Sequence, residues 1–343
     1  MEDLRQRQLT QWLIDSFSLE KCELTSMNGD AGFRRYFRFE MKNQSLIAVD
    51  TPGDKCNNTA FIYMQQQLKQ AGIKVPDVVA FAEQQGFMCL SDLGTQELSS
   101  VLHANNMAEY YQQAILLLPK IANIPQKNLP IYDKAFIQRE LDIFNEWLLA
   151  EHLNIQLTFD EKKQLQTGFD FLIDSALEQP KVVMHRDFHS RNLMLVNNEL
   201  AAIDFQDAVI GPITYDVASL LRDCYLKWPI EQISPLFSYF IDIMSAQFSL
   251  QHIHAQQWKK WFDLMGMQRH IKASGIFARL YHRDGKSAYL ADIPLTLSYI
   301  VDISAEYPEC QFIHQLVKDK VIPTLTKLSP TKNSTQKSLV ENT

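Results

Sequence analysis

Two short polar segments, each bounded by apolar runs, constrain this chain more than any other feature of its sequence. Residues 185–192 read His-Arg-Asp-Phe-His-Ser-Arg-Asn, and residues 203–206 read Ile-Asp-Phe-Gln. The apolar runs at 182–184, 193–196 and 200–203 are typical of short buried strands. We therefore expect the polar side chains to lie at strand ends and to share one crevice.

Three side chains in these segments have the chemistry that phosphoryl transfer requires. Asn192 comes five positions after Asp187, and Asp204 comes twelve positions after Asn192. Transfer from ATP needs a base that orients the acceptor hydroxyl and hard oxygen ligands for Mg²⁺. We interpret Asp187 as the base and Asn192 and Asp204 as the Mg²⁺ ligands. An Asp in an Asx-turn, a capping Asn and a strand-end Asp are the structural alternatives, and the shared spacing favours catalysis.

A glycine-containing turn between two β-like segments is a second candidate for phosphate binding. Residues 28–36 read Asn-Gly-Asp-Ala-Gly-Phe-Arg-Arg-Tyr. A glycine such as Gly32 lets backbone N–H groups approach a phosphate, and Arg34 or Arg35 can pair with it. The same residues also suit an ordinary hairpin turn. Their position at the front of a β-rich region favours the phosphate loop.

Composition excludes several classes of partner. The net charge is −7 and the sequence contains no block rich in Lys and Arg, so we expect no nucleic-acid partner. Five scattered cysteines form no Cys-x-x-Cys pair, which argues against a zinc site or a disulfide framework and for a cytoplasmic protein. The first residues do not read as a signal peptide, and no run approaches the roughly 20 apolar residues that span a bilayer. We expect no membrane partner, and no pattern predicts an oligomeric state.

Hydrophobic periodicity divides the chain into two parts. A small, mostly β part with an internal helix is predicted over 1–90, a hinge over 91–95, and a mainly helical part over 96–328. The polar stretch 329–343 is predicted to be a disordered tail. Strands are predicted at 36–39, 45–49, 78–81 and 86–90, and helices at 4–17, 57–71, 107–121, 134–152, 160–177 and from 215 onward.

Four basic residues recur at helical spacing near the end of the chain. Arg269, Lys272, Arg279 and Arg283 share one face of a helix. They form either a solvated face or an anion-binding wall. The glycines at 266 and 275 are expected to break this helix.

Taken together, the segments resemble the aminoglycoside phosphotransferase/choline-kinase-like family, and within it the bacterial kinases that phosphorylate the anomeric hydroxyl of amino sugars. The loop at 185–194 and the segment 203–216 are typical of the protein-kinase-like superfamily as a whole. The segments that indicate the subfamily are 31–38, 139–144, 221–225, 228–229 and 266–272. The resemblance covers nearly all of the chain except the tail.

The resemblance implies a fold, a cofactor and a substrate. The fold is α+β, a bilobal protein-kinase-like fold with a small β-rich N-lobe, a larger mostly helical C-lobe and ATP between them. The acceptor is the C1 hydroxyl of N-acetylmuramate or N-acetylglucosamine, and the product is a sugar 1-phosphate for peptidoglycan recycling. The hinge segment that would offer backbone groups to adenine is Cys89, Leu90, Ser91, Asp92 and Leu93.

Further residues receive roles from the same resemblance. His189 stands where many protein kinases carry a Lys that touches the transferred phosphate, and a structural role for it stays equally open. Asp216 either caps the helix that follows or accepts hydrogen bonds from the catalytic-loop backbone, and His185 and Arg186 are expected to brace that loop. The candidates for acceptor binding, which lie in subfamily-like segments, are Glu140, Arg191, Arg222 and Arg269. A salt bridge within the loop is an alternative for Arg191.

One departure from the kinase pattern concerns the ATP phosphates. The strand that ends in a Lys in most kinases ends here in Asp50, and the helix that should supply its Glu partner has no acid at 61–67. Losing both partners together avoids an unpaired buried charge. We hypothesise that Arg34 or Arg35 replaces the Lys.

Two alternatives to the amino-sugar kinase remain open at this point. A kinase of another small alcohol, such as an aminoglycoside or a choline-like compound, needs an acidic acceptor pocket, whereas the carboxylate of N-acetylmuramate needs a basic one. The missing Lys and Glu also suit a nucleotide-binding module without catalysis. Asp187, Asn192 and Asp204 argue against that module.

Overall fold

The computed structural model describes residues 3–27, 34–53 and 56–328. The predicted phosphate loop with Gly32 and the predicted tail 329–343 therefore lie outside the described residues. Contacts within the described chain define two compact units, one within Met1–Glu140 and Leu172–Arg269 and the other within Leu141–Phe171 and His270–Thr343. All site residues described below belong to the first unit.

An antiparallel five-stranded sheet, in the order β1-β2-β3-β5-β4, occupies the N-terminal region. Each predicted strand is present, and the pairing of the second and third strands is confirmed by the register Phe37↔Ala48. The strands are β1 Thr25–Ser26, β2 Arg35–Met41, β3 Gln44–Asp50, β4 Val78–Ala82 and β5 Phe87–Ser91.

The first helix, Leu4–Phe17, covers one face of this sheet and matches its predicted bounds. Its buried Leu9 and Leu13 pack in one core with Phe37, Ala48 and other alternate residues of the strands. Since successive side chains of a strand point to opposite faces, Arg35 shares this face with Phe37.

Two short two-stranded sheets frame the predicted catalytic loop. The strands β6 Lys181–Met184 and β9 Val209–Pro212 pair antiparallel, and β7 Leu193–Val196 pairs with β8 Glu199–Ala202. The first, third and fourth of these match predicted strands. The strand Val209–Pro212 was not predicted, because a four-residue run with Gly and Pro lacks a strand pattern.

Thirteen α-helices account for most of the rest of the described chain. The predicted helix at 107–121 is wrong as a single element: it ends at Ile115, and a new helix begins at Leu118 with Pro119, whose ring cannot continue a preceding turn. Residues Phe144–His152 continue the predicted helix from 134 as a π-helix. The helices are α1 Leu4–Phe17, α2 Asn58–Gln70, α3 Leu98–Val101, α4 Met107–Ile115, α5 Leu118–Ala122, α6 Lys134–Ile143, α7 Phe159–Leu177, α8 Tyr215–Leu221, α9 Ile230–Phe248, α10 Ala255–Asp284, α11 Ile293–Ser304, α12 Gln311–Gln315 and α13 Ile322–Leu328. Among the described residues, no helix is both long and apolar enough to cross a membrane.

Helix α10 runs without interruption through both of its glycines, so the expected break is wrong. A Cβ atom at Gly275 would lie 2.6 Å from the carbonyl oxygen of Ile143. The glycine is therefore needed for close backbone approach rather than for a bend. A solvated basic face is also wrong for Arg269 and Lys272, which are buried.

Candidate active site

The start of the catalytic loop is held by a buried carboxylate on helix α8. Asp216 accepts hydrogen bonds from the backbone N–H groups of His185 and Arg186, at 2.7 and 2.9 Å. This confirms that Asp216 accepts hydrogen bonds from the catalytic-loop backbone. Burial raises the pKa of Asp216 to about 7, against the lowering effect of the two N–H donors and of Arg269.

The ring of His185 lies buried beneath the loop. Burial lowers its pKa to about 4, against the raising effect of the Asp187 charge, so the ring is neutral at pH 7. A neutral ring packed edge-on against Phe188, at 5.7 Å between centroids, supports the loop.

Arg186 and Glu140 form a part-buried ion pair that fixes the loop from a second side. The guanidinium donates to Glu140 Oε1 at 2.7 Å. The other carboxylate oxygen accepts from the hydroxyl of Tyr132 at 2.5 Å and from Gln268 Nε2 at 3.2 Å. Glu140 is therefore a buried brace of the loop, and its side chain is 5% exposed.

The predicted base and the two predicted Mg²⁺ ligands lie together around the hairpin that begins at Leu193. The side-chain N–H₂ of Asn192 donates to the carbonyl oxygen of Asp187 at 3.0 Å. The N–H of Ile203 donates to the carbonyl oxygen of Asn192 at 3.0 Å, which brings the neighbouring Asp204 to the same place. Asp204 has a positive φ of 63° and accepts from Gln206 at 2.6 Å.

This arrangement fits a Mg²⁺ ion with two protein ligands. The amide nitrogen of Asn192 is used for the contact with Asp187, so its amide oxygen is the atom that suits a cation. Together with a carboxylate oxygen of Asp204 it would supply two hard ligands, and Mg²⁺ in nucleotide sites takes the others from phosphates and water.

The second half of the loop is held by the segment after helix α8. The carboxylate of Asp223, which is 1% exposed, accepts from the backbone N–H of Ser190 at 2.9 Å and from its hydroxyl. Tyr225 lies beside the same turn: the guanidinium carbon of Arg191 is 3.5 Å from its ring centroid, and the ring of His189 meets it edge-on at 5.4 Å. His189 and Arg191 are thus positioned by one aromatic ring.

Two of the predicted acceptor residues are engaged with other groups of the first unit. Arg222 donates to Asp263 and lies over the ring of Phe262 at 4.2 Å. Arg269 is buried, with its guanidinium 5.1 Å from the ring centroid of Tyr215.

The two adjacent arginines after the predicted phosphate loop have different partners. Arg35 donates to Asp50 and to Asp3, and Asp50 also accepts from Arg5 of the first helix. Arg34 donates instead to the carbonyl oxygen of Asn57 at 3.1 Å, at the start of helix α2.

The predicted hinge lies at the end of β5. Cys89 is fully buried, and burial raises the pKa of its thiol to about 12. Asp92 accepts from Arg38 Nε at 2.6 Å, from Ser45 at 2.6 Å and from the N–H of Gly94 at 2.8 Å. These bonds fix the turn by which the chain leaves the sheet.

Sequence reasoning assigned no role to Asp223, Tyr225 or Arg5. Asp223 and Tyr225 stand in a segment that resembles the subfamily. The sequence signal that could have pointed to Asp223 is its position next to Arg222 in that segment. Arg5 had no such signal, because its contact with Asp50 joins residues 45 positions apart.

The small antiparallel sheet, the helical remainder and a loop with Asp187 and Asn192 ahead of Asp204 define a protein-kinase-like phosphotransferase. A family model described as "Phosphotransferase enzyme family" matches residues 23–246. An N-acetylmuramate/N-acetylglucosamine kinase of Pseudomonas putida is 36% identical, covering 92% of this chain and 97% of that protein. A kinase of the same name from Pseudomonas aeruginosa is 37% identical with the same coverage. A solved complex of gentamicin with an aminoglycoside phosphotransferase has a TM-score of 0.60 at 12% identity, covering 91% of this chain and 99% of that one.

The chain belongs to the phosphotransferase enzyme family, and it is a small-molecule kinase. The predicted α+β, protein-kinase-like fold, with a small β-rich N-terminal region and a larger helical part, is confirmed.

Proposed function

We propose that this kinase transfers the γ-phosphoryl group of ATP to the anomeric C1 hydroxyl of N-acetylmuramate and N-acetylglucosamine. The observation that carries the proposal is the likeness to two kinases of these sugars, at 36% and 37% identity over 92% of the chain. The products are sugar 1-phosphates, which suit nucleotidyl transfer in the cytoplasmic recycling of peptidoglycan.

Asp187 is the catalytic base of this proposal. Its backbone carbonyl accepts a hydrogen bond from Asn192, and Asp216 holds the backbone of the two residues before it, so the backbone that carries the carboxylate is fixed on both sides. The carboxylate orients the C1 hydroxyl and takes its proton as the phosphoryl group moves. An anomeric hydroxyl is more acidic than an ordinary alcohol, which suits a carboxylate base.

Asn192 and Asp204 would hold Mg²⁺, which neutralises charge on the ATP phosphates when it is bound. The turn Ser190–Asn192 sets the position of Asn192, and the bond between Ile203 and Asn192 sets that of Asp204. Holding groups in place supplies most of the rate enhancement in phosphoryl transfer, because the transition state is loose.

We assign the adenine contact to the backbone of Cys89, Leu90, Ser91, Asp92 and Leu93. The bonds that Asp92 accepts from Arg38 and Gly94 support a fixed backbone at this point. Gly32, which lies outside the described residues, is assigned to the phosphates from the sequence alone.

The acceptor candidates separate into two roles. Arg191 and His189 lie together on Tyr225 beside the base, and we assign them to contacts with the acceptor or with the transferred phosphate. Glu140, Arg222 and Arg269 are buried or ion-paired. We assign them to positioning the catalytic loop and helix α8, which carries Asp216.

Coupled ADP release with ATP and Mg²⁺ tests the reaction. N-acetylmuramate, N-acetylglucosamine, choline and kanamycin are compared, with Asp187→Asn as the matched control because it keeps the shape of the side chain. We expect turnover of the two N-acetyl sugars only, an acid-labile and alkali-stable 1-phosphate as product, and loss of turnover in the variant.

The other outcomes separate the alternatives. Turnover of kanamycin or choline alone would keep the kinase mechanism and exclude the amino-sugar assignment. ATP binding without turnover of any acceptor would favour the nucleotide-binding module.

A further inference from the structure

The strand and helix that form the Lys–Glu pair of most kinases contain neither partner here. β3, Gln44–Asp50, has no basic residue, and α2, Asn58–Gln70, has no acid. An ATP site without that Lys still needs a cation for the phosphates, because the developing charge is otherwise met only by the metal.

Arg35 is already neutralised on the sheet face that packs against the first helix. It shares its face with Phe37, which packs in the core with the first helix. Its Nε donates to Asp50 Oδ2 at 3.0 Å, and its guanidinium also pairs with Asp3. Two carboxylates therefore hold this guanidinium beside the first helix.

Arg34 extends to the start of helix α2 instead. Its guanidinium lies 5.5 Å from the ring centroid of Phe61, and that ring lies 5.0 Å from the ring of Phe205. Phe205 directly follows Asp204, the proposed Mg²⁺ ligand. The rings of Phe61 and Phe205 therefore lie in succession between the guanidinium of Arg34 and the segment that carries Asp204.

The bonding of Arg34 leaves donors for an anion. One guanidinium nitrogen donates to a neutral acceptor, the carbonyl oxygen of Asn57. The Nε atom is buried and has no hydrogen-bond partner within the described ranges 3–27, 34–53 and 56–328. A planar guanidinium with free donors matches the oxygens of a phosphate, and an unsatisfied buried donor is costly until it finds one.

We propose that Arg34, held by the carbonyl oxygen of Asn57 and the ring of Phe61, binds the β- and γ-phosphates of ATP in place of the strand Lys. The proposal rests on the proposed kinase function for its nucleotide, and it assigns Arg35 to the structure of the sheet. The carbonyl of Asn57 replaces the helix Glu as the group that orients the cation.

Calorimetric titration of the full chain with Mg²⁺ and AMP-PNP, ADP or AMP tests the proposal without an acceptor. For Arg34→Ala we expect a roughly 10- to 100-fold loss of AMP-PNP affinity, as for a charge-assisted hydrogen bond, and little change for AMP. Arg34→Lys should recover part of the loss. Arg35→Ala is the matched control: its thermal stability should fall and its affinity for AMP-PNP should stay.

Wild-type affinity of Arg34→Ala for AMP-PNP would overturn the proposal, as would an equal loss for AMP-PNP and AMP. A loss in Arg35→Ala alone would assign the phosphates to the other arginine. The titration contains no sugar. The role of Arg34 in nucleotide binding can therefore be judged even if the protein proves not to phosphorylate sugars.

Discussion

Ser190 donates both its backbone N–H and its hydroxyl to one carboxylate oxygen of Asp223. The other oxygen of Asp223 accepts from the N–H of Tyr225 at 2.9 Å, and Tyr225 in turn contacts His189 and Arg191. One buried side chain therefore sets the geometry of the turn that carries Asn192.

Asp223→Asn should lower kcat by about 10- to 100-fold, because it weakens two bonds to an ionised acceptor. It should also raise the Mg²⁺ concentration needed for half-maximal activity, since Asn192 ends the same turn. Ser190→Ala removes only the hydroxyl bond and should have a smaller effect. A lower melting temperature with an unchanged Mg²⁺ requirement would show that Asp223 serves stability alone.

Glu140→Gln separates a contact with the acceptor from a role in positioning. The change leaves the guanidinium of Arg186 buried without its carboxylate, which should cost about 3–5 kcal/mol of stability, an upper range for a pair that is partly exposed. We expect kcat to fall while KM for the sugar stays within about twofold. A large rise in KM with normal kcat would instead place Glu140 in the sugar site.

The buried ring of His185 should make the protein less stable in mild acid. Its pKa is about 4 in the folded state and 6.5 ordinarily, so its contribution is complete above pH 6.5 and is lost as the pH falls toward 4. The full loss is about 3 kcal/mol. Asp216, whose pKa is raised to about 7, acts in the opposite direction over this window.

Urea unfolding of wild type and His185→Gln at pH 7.5 and pH 5 isolates the histidine, because Asp216 is common to both. The wild type should lose more stability than the variant between the two pH values. Equal losses would mean that the ring does not titrate in this range.

Gly275→Ala should destabilise the protein although alanine favours helices. The new Cβ would lie 2.6 Å from Ile143 O and 2.7 Å from Phe144 N. These are backbone atoms, so no side-chain rotation can relieve the clash. We expect a loss of about 1–3 kcal/mol in chemical unfolding, larger than the gain of up to about 1 kcal/mol in helix propensity.

Gly266→Ala is the control for this change. Its Cβ would lie 2.9 Å from Cδ of Arg222, which is a side-chain atom rather than backbone. Equal losses at the two glycines would argue against backbone contact as the reason for Gly275.

Local patterns predicted much of the fold, because alternation and helical period act within one segment. The first helix and the pairing of β2 with β3 follow from such patterns. The strand Val209–Pro212 does not, because its pairing with Lys181–Met184 joins segments 25 or more residues apart and neither is long enough to show a period.

The site divides in the same way. Asp187, Asn192 and Asp204 could be singled out from their spacing along the chain, and the structure brings them together, while their roles stay predictions. The choice between Arg34 and Arg35 was beyond the sequence, because it depends on which face of β2 meets the first helix. The role of Asp223 depends on Ser190, 33 positions earlier.

The double contact of Asp50 with Arg5 and Arg35 ties the N-terminal helix to the antiparallel sheet. A shortened version of this enzyme that begins after Arg5 would lose one of the two cations that surround a carboxylate with 1% exposure. Arg35 would then be the remaining described partner of that charge, one residue away from Arg34. Trimming the chain for crystallisation or fusing a partner to its start therefore weakens the attachment of the first helix to the sheet, with a cost in stability rather than in nucleotide affinity.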